Sequence, residues 1–120
     1  METTGLSSSS THVLQVRLWA PPELLRTLRD GLVRIGGPTR ARRECRHYGV
    51  YQSTVDPEEL MLLAEWSSRE ALESSIRSED FRVVLSAMDA STREPHFQVE
   101  TVGSTEGFEC VAGILGHDER

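Results

Sequence analysis

The 120-residue chain contains no lysine and no asparagine, so its fixed positive charge rests entirely on 13 arginines. Without a lysine amine, Schiff-base chemistry is closed to it. Positive charge is also outweighed: 19 acidic residues leave a formal net charge of −6, which offers no basic field to nucleic acid or anionic lipid. Cysteine is scarce. Cys45 and Cys110 lack C-x-x-C spacing and are too few for a disulfide scaffold, so both are expected to be reduced thiols packed as small hydrophobes. The four histidines, His12, His47, His96 and His117, never take H-x-x-x-H spacing, and no built-in metal site is expected. No apolar run approaches the ~18 residues that span a bilayer. The opening METTGLSSSSTH has neither the basic nor the apolar segment of a secretory signal. A cytoplasmic protein is expected, with no membrane and no nucleic-acid partner.

What remains is the composition of one globular domain. Residues 1–10, rich in Ser and Thr, read as a disordered tail, and residues 11–120 as the folded domain, with a C-terminal arm from about residue 104. His12 to Trp19 alternates Leu14, Val16 and Leu18 with polar residues, the period of a strand with one apolar face. After Pro21 and Pro22, the spacing of Leu24 or Leu25, Leu28, Leu32 and Ile35 predicts a helix, which Gly36, Gly37 and Pro38 are expected to end. CRHYGVYQSTV, from Cys45, reads as a second strand, with Gly49 marking a bulge or a close approach. The third, Leu60 to Trp66, is apolar at both parities, so both of its faces are expected to be covered. Ser67-x-x-Glu70 is a capping box opening a helix that turns Ala71, Leu72 and Ile76 inward. Ser78 is expected to cap the next helix, with Phe81, Val84, Leu85 and Met88 as its buried stripe. HFQVETV, from His96, is a fourth strand, and GFECVAGILG a further strand or docked arm.

That order is the split βαβ pattern of a ferredoxin-like α+β domain. Its helices cover one sheet face, and no element remains for the other, although the third strand is apolar both ways. A homodimer packing sheet on sheet, a dimeric α/β barrel, is the simplest solution.

The run ECRHYGVYQSTVDPEELMLLAEWSSREALESSIRSEDFRVVL resembles the antibiotic biosynthesis monooxygenase family. Shared features are the Asp-Pro turn, the strand ending in Glu-Trp, the capped helix and then Ser-x-x-Phe. The resemblance implies a dimeric α+β barrel in a family that includes cofactor-free oxygenases of polyphenols and haem-degrading enzymes. Ser75 and Asp80 stand where that pattern commonly has histidines, the first of which is the axial iron ligand of haem-degrading members. Leu62 stands where polyphenol-oxidising members place an asparagine.

By resemblance, Trp66 lines a cavity between sheet and helices, stacking on an aromatic substrate and offering its N–H to a carbonyl or phenolate; as a large residue at a strand end it also suits a core. Leu62, Ala64, Ser75 and Phe81 are the expected substrate-binding neighbours. His47 and Tyr51, at i and i+4 of one strand, share a face, so His47 is the candidate general base and Tyr51 the orienting group; a surface or dimer-face histidine is the alternative. Glu65 is expected to pair with Arg46 or Arg17. The run Arg40, Arg42, Arg43, Arg46 is positioned to steer a phenolate at a pocket mouth, and is expected to lower the Cys45 thiol pKa. The expected function is a cofactor-independent monooxygenase oxidising a quinol or polyphenolic aromatic with O2. The alternative is a non-catalytic dimeric binding module for an aromatic or haem-like small molecule.

Overall fold

A computed structural model describes residues 10–118; the expected disordered tail lies outside them, apart from Ser10. Four strands, β1 (Thr11–Trp19), β2 (Cys45–Gln52), β3 (Glu59–Trp66) and β4 (His96–Val102), form one antiparallel sheet in the order β2-β3-β1-β4. Between β1 and β2 lie α1 (Pro22–Arg34) and the short α2 (Gly36–Arg40); between β3 and β4 lie α3 (Arg69–Ile76) and α4 (Phe81–Asp89). This is the ferredoxin-like α+β arrangement. α5 (Phe108–Asp118) closes the chain.

Alternation in the strands decides where the core sits. Leu14, Val16 and Leu18 of β1 lie opposite Ala64, Leu62 and Leu60 of β3, and all six are buried. Onto this face pack Leu25 and Leu32 from α1, Leu72 from α3, and Phe81, Val84 and Ala87 from α4. The opposite face carries the other parity. There Val13, Gln15, Arg17, Met61, Leu63 and Glu65 are only half-buried.

Several local expectations are corrected. Gly36, Gly37 and Pro38 do not end the helical path: α1 closes at Ile35, and α2 restarts at once. Pro38 falls in the first turn of α2, where its missing N–H costs nothing. A Cβ at Gly36 would lie 3.2 Å from the Tyr48 ring, so glycine permits this approach to β2. The cap of α3 is Ser68, whose Oγ accepts from Ala71 N at 3.1 Å. Ser67 is still part of the sheet's edge, its N–H donating to Glu44 O at 2.9 Å, and its hydroxyl reaches Glu44 Oε1 at 3.0 Å. Ser78 finishes α3 rather than opening α4, donating to Ser75 O at 2.7 Å.

Leu85 is 52% exposed because the inward stripe of α4 runs through Phe81, Val84 and Ala87 instead. The C-terminal arm is a helix, not a strand. Its Phe108, Val111, Ile114 and Leu115 recur at helical spacing, and all four are exposed.

Candidate functional site

Between the core face of the sheet and the helices lies a cavity of about 30 Å³, room for water rather than for an aromatic ring. Strand alternation builds its apolar walls. Leu62, Ala64 and Trp66 come from one face of β3, with Leu14 beside them on β1 and Phe81 at the start of α4. Phe81 meets Phe97 of β4 edge-to-face at 6.4 Å, which fixes its ring.

Polar atoms reach this cavity from four hydroxyls, each of which already spends its proton on a backbone carbonyl. Thr39 donates to Ile35 O at 2.7 Å, Ser75 to Leu72 O at 2.8 Å, Ser78 to Ser75 O at 2.7 Å, and Tyr48 to Leu32 O. What they leave for an occupant is oxygen lone pairs, that is, acceptors. Burial pushes the Tyr48 phenol well above its ordinary range, more strongly than the nearby Arg40 pulls it down. It is a neutral donor at any physiological pH.

Trp66 is 1% exposed, and its Nε1–H has no acceptor, the one buried side-chain polar atom among the described residues left in that state. A buried donor without a partner costs roughly 1–3 kcal/mol. Trp66 lines the cavity, while the Nε1 atom itself is covered by protein, so a ligand oxygen meets it only where the wall gives way. Arg42 and Asp80 complete the lining, and Asp80 is near enough for its charge to favour the protonated form of Tyr48.

Five of the residues singled out in the sequence therefore meet at one cavity: Trp66, Leu62, Ala64, Ser75 and Phe81. The sheet separates His47 and Tyr51 from them. Tyr48 of β2 is buried on the core face opposite Ala64, so its neighbours in the alternation project the other way. There His47 Nε2 and Tyr51 Oη are 2.7 Å apart, and Tyr51 is 42% exposed. Gly49 lies beneath them, where a Cβ would come within 2.7 Å of the Tyr51 ring. The close backbone approach expected at Gly49 is replaced by this side-chain contact, and the bulge falls between Cys45 and His47.

Arg42, from the arginine run expected near a pocket mouth, is in the lining, whereas Tyr48, Thr39, Ser78 and Asp80 went unassigned as a cavity lining in the sequence. Only for Tyr48 was a signal present, the parity opposite to His47. Two electrostatic expectations are corrected as well. Arg17 pairs with Glu59 at 2.8 Å rather than with Glu65, and Arg46 reaches Thr11 Oγ1 at 3.3 Å. The Cys45 thiol is pushed up by burial, against the pull of Arg40 and Arg42. Both cysteines are free. Among the described residues no group of three or more His, Cys, Asp or Glu is placed to hold a metal ion, and no helix is long and apolar enough to cross a membrane.

Comparison with known proteins follows this geometry. A family model described as antibiotic biosynthesis monooxygenase matches residues 11–86. The structure of Rv0793 from Mycobacterium tuberculosis is similar at 26% identity and a TM-score of 0.66, covering 81% of this chain and 97% of its own. A conserved protein from Methanosarcina mazei Go1 is similar at 21% identity and a TM-score of 0.68, covering 85% and 99% respectively. A structure described as an antibiotic biosynthesis monooxygenase is similar at 19% identity and a TM-score of 0.66, covering 79% and 99%. No curated protein matches the chain.

Proposed function

The chain belongs to the antibiotic biosynthesis monooxygenase family, and from that premise we propose that it is a cofactor-independent monooxygenase oxidising a quinol or polyphenolic aromatic with O2 at the cavity beside Trp66. The observation that supports this reading is the indole N–H of Trp66, buried without a partner on a residue that lines the cavity. A donor aimed at the oxygen that gains charge during the reaction stabilises the transition state more than the ground state.

An electron-rich phenol needs little more from the protein. Asp80 accepts the phenolic proton, the ring carbanion adds O2, and the O–O bond breaks. One oxygen atom stays as the new quinone carbonyl; the other leaves with the two hydrogens lost by the ring as water. The ring itself supplies both electrons, so no external reductant enters the balance. Trp66 hydrogen-bonds the carbonyl oxygen as it forms, and Leu62, Ala64 and Phe81 hold the ring while Ser75 offers it an acceptor. The cavity of about 30 Å³ admits a ring only when its walls move apart.

His47 and Tyr51 we assign to a subunit interface instead of the base and orienting roles, because the sheet lies between them and Trp66. The half-buried Val13, Met61 and Leu63 of the same face support a homodimer packed sheet on sheet. We place the activity in the cytoplasm, where free thiols such as Cys45 and Cys110 persist.

Aerobic and anaerobic incubation with a panel of dihydroxyarenes tests the reading. Quinone formation matched by O2 uptake is expected, falling by about 100-fold in Trp66→Phe. No O2-dependent turnover with any member sinks it. Saturable binding without turnover selects a non-catalytic binding module for an aromatic or haem-like molecule.

A further inference from the structure

Beside the cavity, a groove of about 290 Å³ runs over Arg42, Arg43, Glu44, Trp66, Ala71 and Ser74. Arg42 and Trp66 line both spaces. The two adjoin at these residues, and there the Arg42 guanidinium leans across from the loop before β2 to donate to Ser74 Oγ on α3 at 2.8 Å. From the charges in this cleft we infer that its ligand is a hydroxylated aromatic acid, held at the mouth by a carboxylate on Arg42 with its phenolic edge turned inward to Trp66. This inference rests on the proposed function for its ring chemistry and adds the class of substrate.

Charge decides the orientation. Arg42 has no carboxylate partner among the ion pairs of the described residues; its hydrogen bond goes to a neutral hydroxyl, a weak acceptor compared with a carboxylate. Arg43 adds a second cation. The one acid of the groove, Glu44, is turned toward the start of α3, where hydrogen bonds from Ser68 and Ser67 hold its carboxyl below the usual range. The mouth is thus net positive on a chain whose net charge is −6. Inside, Asp80 lines the cavity, and a carboxylate placed there would meet a like charge. A phenol placed there finds hydroxyl acceptors for its proton and the free N–H of Trp66 for its oxygen.

Size agrees. About 290 Å³ is near the lower bound of ~300 Å³ for small-molecule sites, enough for a fused bicyclic ring. The carboxylate would displace Ser74 from Arg42, and release of that hydrogen bond opens the way between groove and cavity.

Calorimetry with two probes tests this: 6-hydroxy-2-naphthoate, whose carboxylate and hydroxyl stand at opposite ends of the ring system, and the neutral 2-naphthol, which lacks only the carboxylate. The acid is expected to bind about tenfold tighter than the neutral ring, with an advantage that shrinks as salt is raised. Arg42→Ala should bring the two affinities to within about twofold, while Arg42→Lys, which keeps the charge without the planar fork, retains part of the preference. Ser74→Ala, which frees the guanidinium, should strengthen binding of the acid. Circular dichroism confirms that each variant is folded. Equal affinity for the two probes, no saturable binding of the acid, or a preference that survives Arg42→Ala overturns the inference. These readouts need no turnover, so they stand apart from the fate of the oxygenase reading; conversely, turnover of neutral quinols without preference for acids would sink this inference and leave that one intact.

Discussion

At the scale of single residues, β2 shows what an alternating pattern can and cannot say. That His47 and Tyr51 share a face, with Tyr48 opposite, was legible from period alone. Which face meets the core was not. It is fixed by the register that sets Tyr48 against Ala64, and by the irregularity between Cys45 and His47 that precedes it, neither of which leaves a local signature. Trp66 was legible because Leu60, Leu62 and Ala64 repeat on its parity and no polar residue interrupts them. The buried phenol of Tyr48 has a consequence for pH. Burial raises its folded-state pKa above the ordinary phenol value of about 10, so its contribution to stability is intact below pH 10 and is lost as pH rises beyond it. Urea denaturation across pH 8–12 should show stability falling above pH 10, and Tyr48→Phe should lower stability at pH 8 while flattening that fall. An unchanged alkaline slope in the variant would contradict the assignment. Cys45 follows the same logic, since burial outweighs its arginine neighbours. In the native protein at pH 7.5 its alkylation by iodoacetamide should be slower than in the urea-unfolded chain by about tenfold or more.

At the scale of elements, existence and type were legible for β1, β3, α1 and the α3–α4 pair, whose periods are clear, and boundaries were not. Ser67-x-x-Glu70 has the letters of a capping box, yet the β2–β3 ladder runs on to Ser67 N–H and Glu44 O. Tertiary pairing thereby overrides the local signal and moves the cap one residue along. The consequence is measurable. Ser68→Ala removes the hydrogen bond to Ala71 N–H and should cost about 1 kcal/mol, lowering the melting temperature by roughly 3–6 °C. Ser67→Ala breaks an exposed hydroxyl–carboxylate contact and should cost under about 0.5 kcal/mol. Equal effects, or a larger one at Ser67, would restore the capping box. The arm after β4 was ambiguous for a different reason: CVAGILG is apolar at nearly every position, and a short apolar run does not separate strand from helix. With no strand edge taking it up, the segment satisfies its own backbone as α5.

At the scale of the whole molecule, the chain covers one sheet face with its helices and leaves Val13, Met61 and Leu63 half-buried on the other. Those residues lie in the two central strands, β1 and β3. Polar Gln15, Arg17 and Glu65 are interspersed with them on the same two strands, and His47 flanks them on β2, a mixed apolar and polar surface such as protein interfaces carry. Leu63 sits between Gln15 and Gly49 in the pairing, near the middle of that face, so a two-fold axis through the sheet centre would bring two copies of it together. A charge there is therefore doubled. Leu63→Arg should place two like charges in a desolvated contact, which costs several kcal/mol at an interface, whereas in an isolated subunit the same side chain stays at the surface with little effect on folding. Light scattering after size exclusion should give a dimer for the native chain and a monomer for Leu63→Arg, and the native melting temperature should rise with concentration where that of the variant does not. A native monomer, or a variant that stays dimeric, would remove the sheet-on-sheet homodimer from the reading. Because Trp66 and Arg42 belong to the opposite side of the sheet, aromatic binding should survive in a monomeric variant, and its loss there would mean that the cleft needs the second copy.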